Sequence, residues 1–260
     1  MKLPFYWIDA FTAARFHGNP AAVVIADAPL RAELMQSIAT ENNLAETAFV
    51  VPDEERYAIR WFTPTVEVDL CGHATLASAY ALYQQGLVTH DSIEFTSASG
   101  LLYVSRRGDR LALDFPARPG SIAADLMQSA GAALGATPTE VHSAQATMAV
   151  FNTEQEIRAL SPDMAKVARL PGYGLVATAP GRQSDFVSRF FAPQVGVPED
   201  PVTGSTHCTL VPYWSSRLGK TQLHAQQLSA RGGELWCEDR GQRVSIAGQC
   251  ALYLRGEIEV

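Results

Sequence analysis

The chain contains RWFTPTVEV at residues 60–68 and, in its second half, RFFAPQVGV at residues 189–197. Each copy leads into a glycine turn that opens an apolar stretch, CGHATL from residue 71 and TGSTHC from residue 203. Solenoid repeats have periods of about 20–50 residues, so a repeat this widely spaced indicates a duplicated domain. Two such halves are expected to share a cleft on a pseudo-twofold axis. The functional residues are expected where the two copies differ in chemistry.

Composition indicates a globular protein with two domains. The 260 residues suffice for two domains of ordinary size. A linker-like stretch at Pro116–Ser121 predicts domains at 1–117 and 118–260, and the last strand is free to cross back to the first domain. Hydrophobic residues make up 47% of the chain and charged residues 18%, which excludes disordered and fibrous classes.

Charge and hydropathy exclude several partners. The net charge of −7, with Lys and Arg scattered singly, argues against nucleic-acid binding. No apolar run approaches the ~18 residues of a membrane helix. The N-terminus reaches Asp9 before any apolar core forms, which is unlike a signal peptide. We therefore expect a cytoplasmic protein without membrane or nucleic-acid partners.

Each half is expected to wrap strands around one central helix. The first central helix is predicted at Ala74–Gln85; it is apolar on nearly all faces, which is typical of a helix surrounded by protein. The second is predicted at Ser205–Leu218, and Pro212 predicts that it is interrupted or begins late. The fold class is therefore α+β, with two pseudo-symmetric, barrel-like and mostly antiparallel sheets.

The two glycine turns predict an anion site. Gly72 and Gly204 start the central helices, whose first amide groups have no partner within the helix. Two such N-termini facing one cleft would bind a small carboxylate, although the glycines could also serve tight turns alone. His73 and Ser205 follow them at equivalent positions. The helix dipole is expected to lower the pKa of His73, which favours a neutral proton shuttle.

Two carboxylates are candidates for proton transfer. Asp200 lies in an insertion just before the second helix, where it could cap the helix or handle protons, with Glu199 as the fallback. Glu46 is flanked by apolar residues, so partial burial could raise its pKa; strand alternation could equally place it in water.

Cysteine usage gives no metal or redox motif. The four cysteines lack the paired spacing of a zinc site or a CxxC motif, so we expect neither metal nor cofactor. Cys237 and Cys250 are interpreted as buried thiols, whereas Cys71 and Cys208 lie beside the glycine turns.

Several motifs together resemble one family. They are DAFT at 9–12, GNPAAV at 18–23, NNLAETAF at 42–49, CGHAT at 71–75 and EDPVTGS at 199–205. In this order, from about residue 5 to the C-terminus, they resemble the phenazine-biosynthesis isomerase (PhzF-like) family. The resemblance implies the diaminopimelate-epimerase-like fold, cofactor-free proton transfer in the interdomain cleft, and a homodimer.

The resemblance also implies roles for individual residues. Glu46 would move a proton on a dihydro-hydroxyanthranilic acid, assisted by His73 and Asp200. The residues expected to contact this small carboxylate substrate are Asn19, Ala45, Gly72, Gly204, Ser205 and Thr206. Ala45 stands where many members of the family have serine, so a hydroxyl that would hold the substrate is missing.

Two alternatives remain open at the level of sequence. The related two-thiol epimerases carry a cysteine on each side of the substrate; Cys71 matches the first position, but the repeat aligns it with Thr203. Cys208 lies about one helical turn farther along. An epimerase or racemase that uses Cys71 is the second hypothesis, and a non-catalytic small-molecule-binding homologue is the third.

Overall fold

The computed structural model describes all residues, Met1–Val260. Its contacts divide the chain into a first unit, Met1–Asp114 with Ala247–Val260, and a second unit, Phe115–Ile246. The units are groups of contacting residues, and the domain boundary expected between residues 117 and 118 stays a prediction. No helix has the length and apolar character needed to span a membrane.

The chain forms eighteen strands and six α-helices. The strands are β1 (Lys2–Ala10), β2 (Asn19–Ile25), β3 (Glu46–Asp53), β4 (Arg56–Phe62), β5 (Glu67–Val68), β6 (Ser92–Ser97), β7 (Gly100–Arg107), β8 (Arg110–Pro116), β9 (Ser121–Ile122), β10 (Glu140–Ser143), β11 (Thr147–Val150), β12 (Leu175–Pro180), β13 (Phe186–Ala192), β14 (Val197–Asp200), β15 (Gln222–Gln227), β16 (Gly233–Asp239), β17 (Arg243–Gly248) and β18 (Cys250–Glu259). The helices are α1 (Ala32–Asn42), α2 (Gly72–Gln84), α3 (Met127–Leu134), α4 (Glu154–Ala159), α5 (Met164–Val167) and α6 (Gly204–Leu218).

The two units repeat one order of strand pairing. In the first, β2 pairs in parallel with β3, β3 antiparallel with β4, and β4 antiparallel with β5 and parallel with β6. In the second, β11, β12, β13, β14 and β15 repeat these pairings in the same order. The repeated sequences lie on β4–β5 and on the equivalent β13–β14. The duplication and the α+β class are therefore confirmed by the topology.

The central helix of the first unit is α2. It packs against β1, β2, β3 and β18, and nine of its residues are buried. The hydroxyls of its buried Thr75 and Ser78 are satisfied within the helix: Thr75 Oγ1 donates to Cys71 O at 2.6 Å, and Ser78 Oγ to Ala74 O at 2.7 Å. Such internal bonds let hydroxyls enter an apolar environment at little cost. The predicted enclosed helix is confirmed, and it begins two residues earlier, at Gly72.

The central helix of the second unit corrects the sequence prediction. α6 runs without interruption through Pro212 and begins at Gly204 rather than later. Proline has no N–H, so the carbonyl of Cys208, one turn earlier, lacks its helical donor. The backbone N–H of Arg118 donates to that carbonyl at 2.8 Å. A distant segment thus completes the hydrogen bond that the proline removes, and the helix continues.

Candidate active site

The first unit brings Glu46 to the start of α2. Glu46 begins β3 and lies opposite Ala21 in the parallel pairing with β2, while His73 is the second residue of α2. His73 Nε2 lies 3.3 Å from Glu46 Oε2, and the two side chains are 7% and 20% exposed. Strand alternation had left Glu46 either partly buried or in water, and the structure places it in the partly buried position.

His73 is neutral at neutral pH. Burial lowers its pKa to about 4, against a hydrogen bond to the backbone of Pro20 that raises it. The pKa of His73 is therefore lowered, as expected, but the main cause is loss of solvation rather than the helix dipole. A neutral imidazole has one donor and one acceptor nitrogen, so it can pass a proton in either direction.

Cys71 lies on the other side of the imidazole. Its Sγ is 3.5 Å from His73 Nδ1, and both residues are buried. The thiol, the imidazole and the carboxylate of Glu46 therefore form a continuous chain of titratable groups. The sequence had not connected Cys71 with Glu46, because the two residues lie in separate motifs of the chain.

Both central helices begin in the same way. Cys71 and Thr203 occupy the N-cap positions with extended backbones, at φ −141°, ψ 110° and φ −114°, ψ 100°. Neither side chain accepts a hydrogen bond from the first turn of its helix. The side chains of the N-cap residues therefore leave the first-turn amides open, which is an arrangement suited to binding an anion.

In the second unit, Asp200 is held by Thr203 and Gln227. Thr203 Oγ1 donates to Asp200 Oδ2 at 2.5 Å. The amide of the fully buried Gln227 donates to Asp200 O at 2.9 Å and accepts from Thr203 N at 2.9 Å. The N-cap position of α6 is occupied by Thr203, and the roles expected for Asp200 in capping or proton handling stay predictions.

Two hydroxyls follow Gly204. Ser205 Oγ is half-buried and lies 3.0 Å from Tyr173 Oη, either atom being able to donate. Burial raises the pKa of Tyr173, which keeps its hydroxyl protonated at neutral pH. Thr206 Oγ1 is buried and donates to Thr203 O at 2.9 Å. Ser205 is therefore placed to contact a ligand, whereas the Thr206 hydroxyl is used within the helix.

The sequence of the chain is related to those of known proteins over nearly its whole length. The family model described as phenazine biosynthesis-like protein matches residues 8–256. The chain belongs to the phenazine biosynthesis-like family. A Pseudomonas aeruginosa relative named as an uncharacterized isomerase is 53% identical over the full length of both chains. A mouse protein named phenazine biosynthesis-like domain-containing protein 2 is 40% identical over 99% of each.

Solved structures agree with this assignment. A PhzF-family protein of Enterococcus faecalis, 42% identical, superposes over the whole of both chains with a TM-score of 0.98. A hydroxyproline epimerase from Agrobacterium vitis, 10% identical, covers 99% of this chain and 92% of its own with a TM-score of 0.64, a likeness of fold alone. The predicted epimerase-like fold of this PhzF-family chain is therefore confirmed.

The other predicted residues have mixed surroundings. Asn19, at the start of β2, is completely buried, and Ala45 is half-buried beside Glu46. Glu199 forms a two-point ion pair with Arg189, at 2.8 and 3.0 Å, so its carboxylate has a structural partner. The substrate-binding roles of Asn19 and Ala45 stay predictions.

Sequence reasoning missed Tyr173 and Gln227. Each lies far along the chain from the helix start that it contacts, and neither belongs to a recognisable motif. Within the first unit, the structure brings together Glu46, Cys71 and His73; within the second, it brings together Asp200, Thr203 and Ser205 with those two residues. The shared cleft expected between the halves stays a prediction.

Proposed function

We propose that this protein is a cofactor-independent isomerase that moves a proton within a small carboxylate, with Glu46 as the general acid and base. The observation that carries the proposal is the 3.3 Å contact between Glu46 and the neutral, buried His73. A partly desolvated carboxylate beside a neutral imidazole is a typical pair for proton transfer. The names of the relatives as isomerases support the reaction class.

The proposed reaction conserves all atoms. The Glu46 carboxylate takes a proton from a substrate carbon, the electron pair moves into the adjacent unsaturated system, and the carboxylic acid returns the proton at another carbon. His73 stabilises the protonated carboxyl by hydrogen bonding, and Asp200 assists with a second proton position. No oxidant or external donor is required by this balance.

The substrate carboxylate is proposed to bind at a helix start. Backbone amides after Gly72 or after Gly204 would donate to it, since neither N-cap side chain accepts a hydrogen bond from them. Ser205 adds a hydroxyl whose partner is Tyr173. By resemblance to the family, the first compound to test is trans-2,3-dihydro-3-hydroxyanthranilic acid.

The test is a substitution of Glu46. Loss of a general base costs on the order of 10²–10⁴-fold in rate, so Glu46→Gln should lower turnover at least about a hundredfold. Isomerisation would be followed by proton NMR in D₂O, with Glu41→Gln, an exposed glutamate on α1, as the matched control. Near-wild-type turnover by Glu46→Gln, with unchanged unfolding, would sink the assignment.

If the wild type does not convert that acid, a panel of small carboxylates is screened by thermal shift. A ligand that binds only the native state raises the melting temperature, and hits are then tested for deuterium incorporation. Binding without any exchange of substrate hydrogen would favour the third reading, a non-catalytic small-molecule-binding homologue.

An epimerase that uses Cys71 is the second candidate. It is favoured by the 3.5 Å contact of the thiol with His73 Nδ1. A symmetric two-thiol mechanism is disfavoured, because the equivalent position holds Thr203 and burial raises the pKa of Cys208 to about 11. Deuterium incorporation at a stereocentre that disappears in Cys71→Ala would decide for this candidate.

A cytoplasmic homodimer is proposed from the family resemblance alone. Light scattering coupled to size-exclusion chromatography measures the mass directly. A monomer of 28.1 kDa would contradict the proposal.

A further inference from the structure

Three potential metal-ligand atoms lie close together at the start of α2, and their spacing in the sequence did not predict this. One ligand atom each from Glu46, Cys71 and His73 lies within 4.8 Å of the other two. Cys71 and His73 are buried and Glu46 is partly buried. Thiolate, imidazole and carboxylate together are donors that zinc accepts, whereas magnesium and calcium favour oxygen alone.

Each contact of His73 has the length of a ligand-to-ligand distance in tetrahedral zinc, although the two contacts involve different ring nitrogens. Bonds of about 2.0 Å to nitrogen and oxygen separate those two ligands by about 3.3 Å, and a bond of about 2.3 Å to sulfur separates nitrogen and sulfur by about 3.5 Å. The observed separations are 3.3 Å between His73 Nε2 and Glu46 Oε2, and 3.5 Å between His73 Nδ1 and Cys71 Sγ. One ion uses one nitrogen, so either the thiol or the carboxylate must rotate toward it.

A buried nitrogen of His73 also calls for a partner. Nε2 is inaccessible to solvent and makes no hydrogen bond, although a carboxylate oxygen lies 3.3 Å away. Buried polar atoms without a partner are rare in native proteins. A cation bound at Nε2 would give this nitrogen a partner.

Charge and protonation favour the same ion. The thiolate and the carboxylate together balance a divalent charge, so the bound site would be neutral inside the protein. Imidazole binds metal ions in its neutral form, and a thiol releases its proton when the ion binds.

We propose that Glu46, Cys71 and His73 form a binding site for one zinc-like divalent cation, with the fourth coordination position open. Binding itself does not depend on the catalytic assignment. The consequence for activity rests on the proposed function: an ion held by Glu46 prevents that carboxylate from accepting a proton. The cation is therefore an inhibitor of the isomerase, and removal of the cation restores activity.

The test uses the full chain, treated with a chelator and then dialysed. Cobalt(II) chloride serves as the optical probe, because a Co–thiolate bond gives a charge-transfer band and tetrahedral Co(II) gives strong visible bands. Zinc chloride binding is measured by calorimetry. The expected result is one ion per chain with a thiolate band.

Three variants define the ligands. Cys71→Ser should abolish the thiolate band and weaken zinc binding by ~10-fold or more. Mutation of a residue that only hydrogen-bonds to a metal ligand already weakens metal binding by about this factor. Glu46→Gln should weaken binding but keep the band. Cys208→Ser, a buried thiol on α6, is the matched control and should change neither. Cys71→Ala replaces Cys71→Ser if the latter unfolds, as judged by thermal unfolding.

No band with the wild type, or a band that survives loss of Cys71, overturns the site. Activity separates the two proposals. Metal binding without any isomerase activity of the metal-free protein refutes the proposed function and leaves the site intact. Isomerase activity that Glu46→Gln abolishes, in a protein that binds no cobalt, refutes the site and supports the function.

Discussion

The starts of α2 and α6 share one backbone and differ in chemistry. Both have an extended N-cap residue, then glycine, with no side-chain cap. In the first unit the flanking residues are Cys71 and His73, in contact with Glu46; in the second they are Thr203 and Ser205, which bond to Asp200 and Tyr173. The two copies keep one backbone at the helix start, and they differ in side chains: titratable groups lie at the first start and hydroxyls at the second.

The copies also differ in how their first-turn residues are supported. Thr203 is fixed from both sides, by Asp200 and by the amide of Gln227. His73 lies between two titratable groups, at 3.3 and 3.5 Å. The second start is a hydrogen-bond network, whereas the first is a row of titratable groups, which we propose transfers a proton. The comparison predicts that substitutions at equivalent positions have unequal effects.

The largest effect is expected on turnover from His73→Ser, which makes the first helix start resemble the second. Loss of the imidazole beside Glu46 should lower kcat by about 10²-fold, or about 2.7 kcal/mol of activation free energy. The matched change, Ser205→Ala, removes one hydroxyl and should cost no more than about tenfold. Equal losses in the two variants, measured on the same substrate, would remove the functional distinction between the helix starts.

Two buried histidines should make stability depend on pH. Burial lowers the pKa of both His73 and His207 from 6.5 to about 4. Below about pH 6.5 the unfolded chain binds a proton that the folded chain excludes, so stability falls as the pH drops toward 4. The full shift corresponds to up to about 3 kcal/mol for each histidine.

Urea unfolding at several pH values between about 7.5 and 4.5 measures this effect. His73→Gln and His207→Gln should each flatten the pH dependence of the unfolding free energy relative to the wild type. His17→Gln, at an exposed position, is the control and should leave this dependence unchanged. A slope that neither buried variant changes would assign the acid sensitivity to other groups.

Gln227→Leu should weaken the second helix start. The apolar side chain keeps the volume but leaves the buried Thr203 N–H without an acceptor, at a cost of about 2 kcal/mol in unfolding free energy. The control is Gln226→Leu: Gln226 lies beside Gln227 on β15, bonds to Glu234 on β16 and is only partly buried. Equal stability of the two variants in urea would show that the Gln227 contacts do not support α6.

The smallest effect concerns the first residue of each repeat. Arg60 pairs with Glu67 where the side chains are 43% and 39% exposed, whereas Arg189 pairs with Glu199 at 14% and 25%. Exposed pairs contribute about 0–1 kcal/mol. Arg189 also donates to two backbone carbonyls, at 3.2 and 3.1 Å. We expect Arg189→Met to cost about 1 kcal/mol more than Arg60→Met in urea unfolding; the reverse order would contradict this interpretation.

Much of the scaffold could be predicted because its signals are local. The repeated motifs, the two glycines and the apolar residues of α2 are each recognisable in a short stretch of sequence. They predicted the duplication and the central helices. Pro212 shows the limit of local reasoning. A proline predicts a break from the chain around it, but the compensating donor, Arg118, lies far away in sequence. The same limit applies to Glu199, the fallback to Asp200, whose ion pair with Arg189 appears only in the structure.

The sequence by itself determined that this protein is duplicated, that each half begins its central helix at a glycine, and that its motifs resemble the PhzF-like family. Only the tertiary structure decided which side chains meet. Parallel pairing of β3 with β2 sets where Glu46 lies, and packing of α2 against these strands brings His73 and Cys71 to it. Helix starts are encoded by adjacent residues, whereas contacts between a strand and a helix depend on register and packing, which no local pattern specifies.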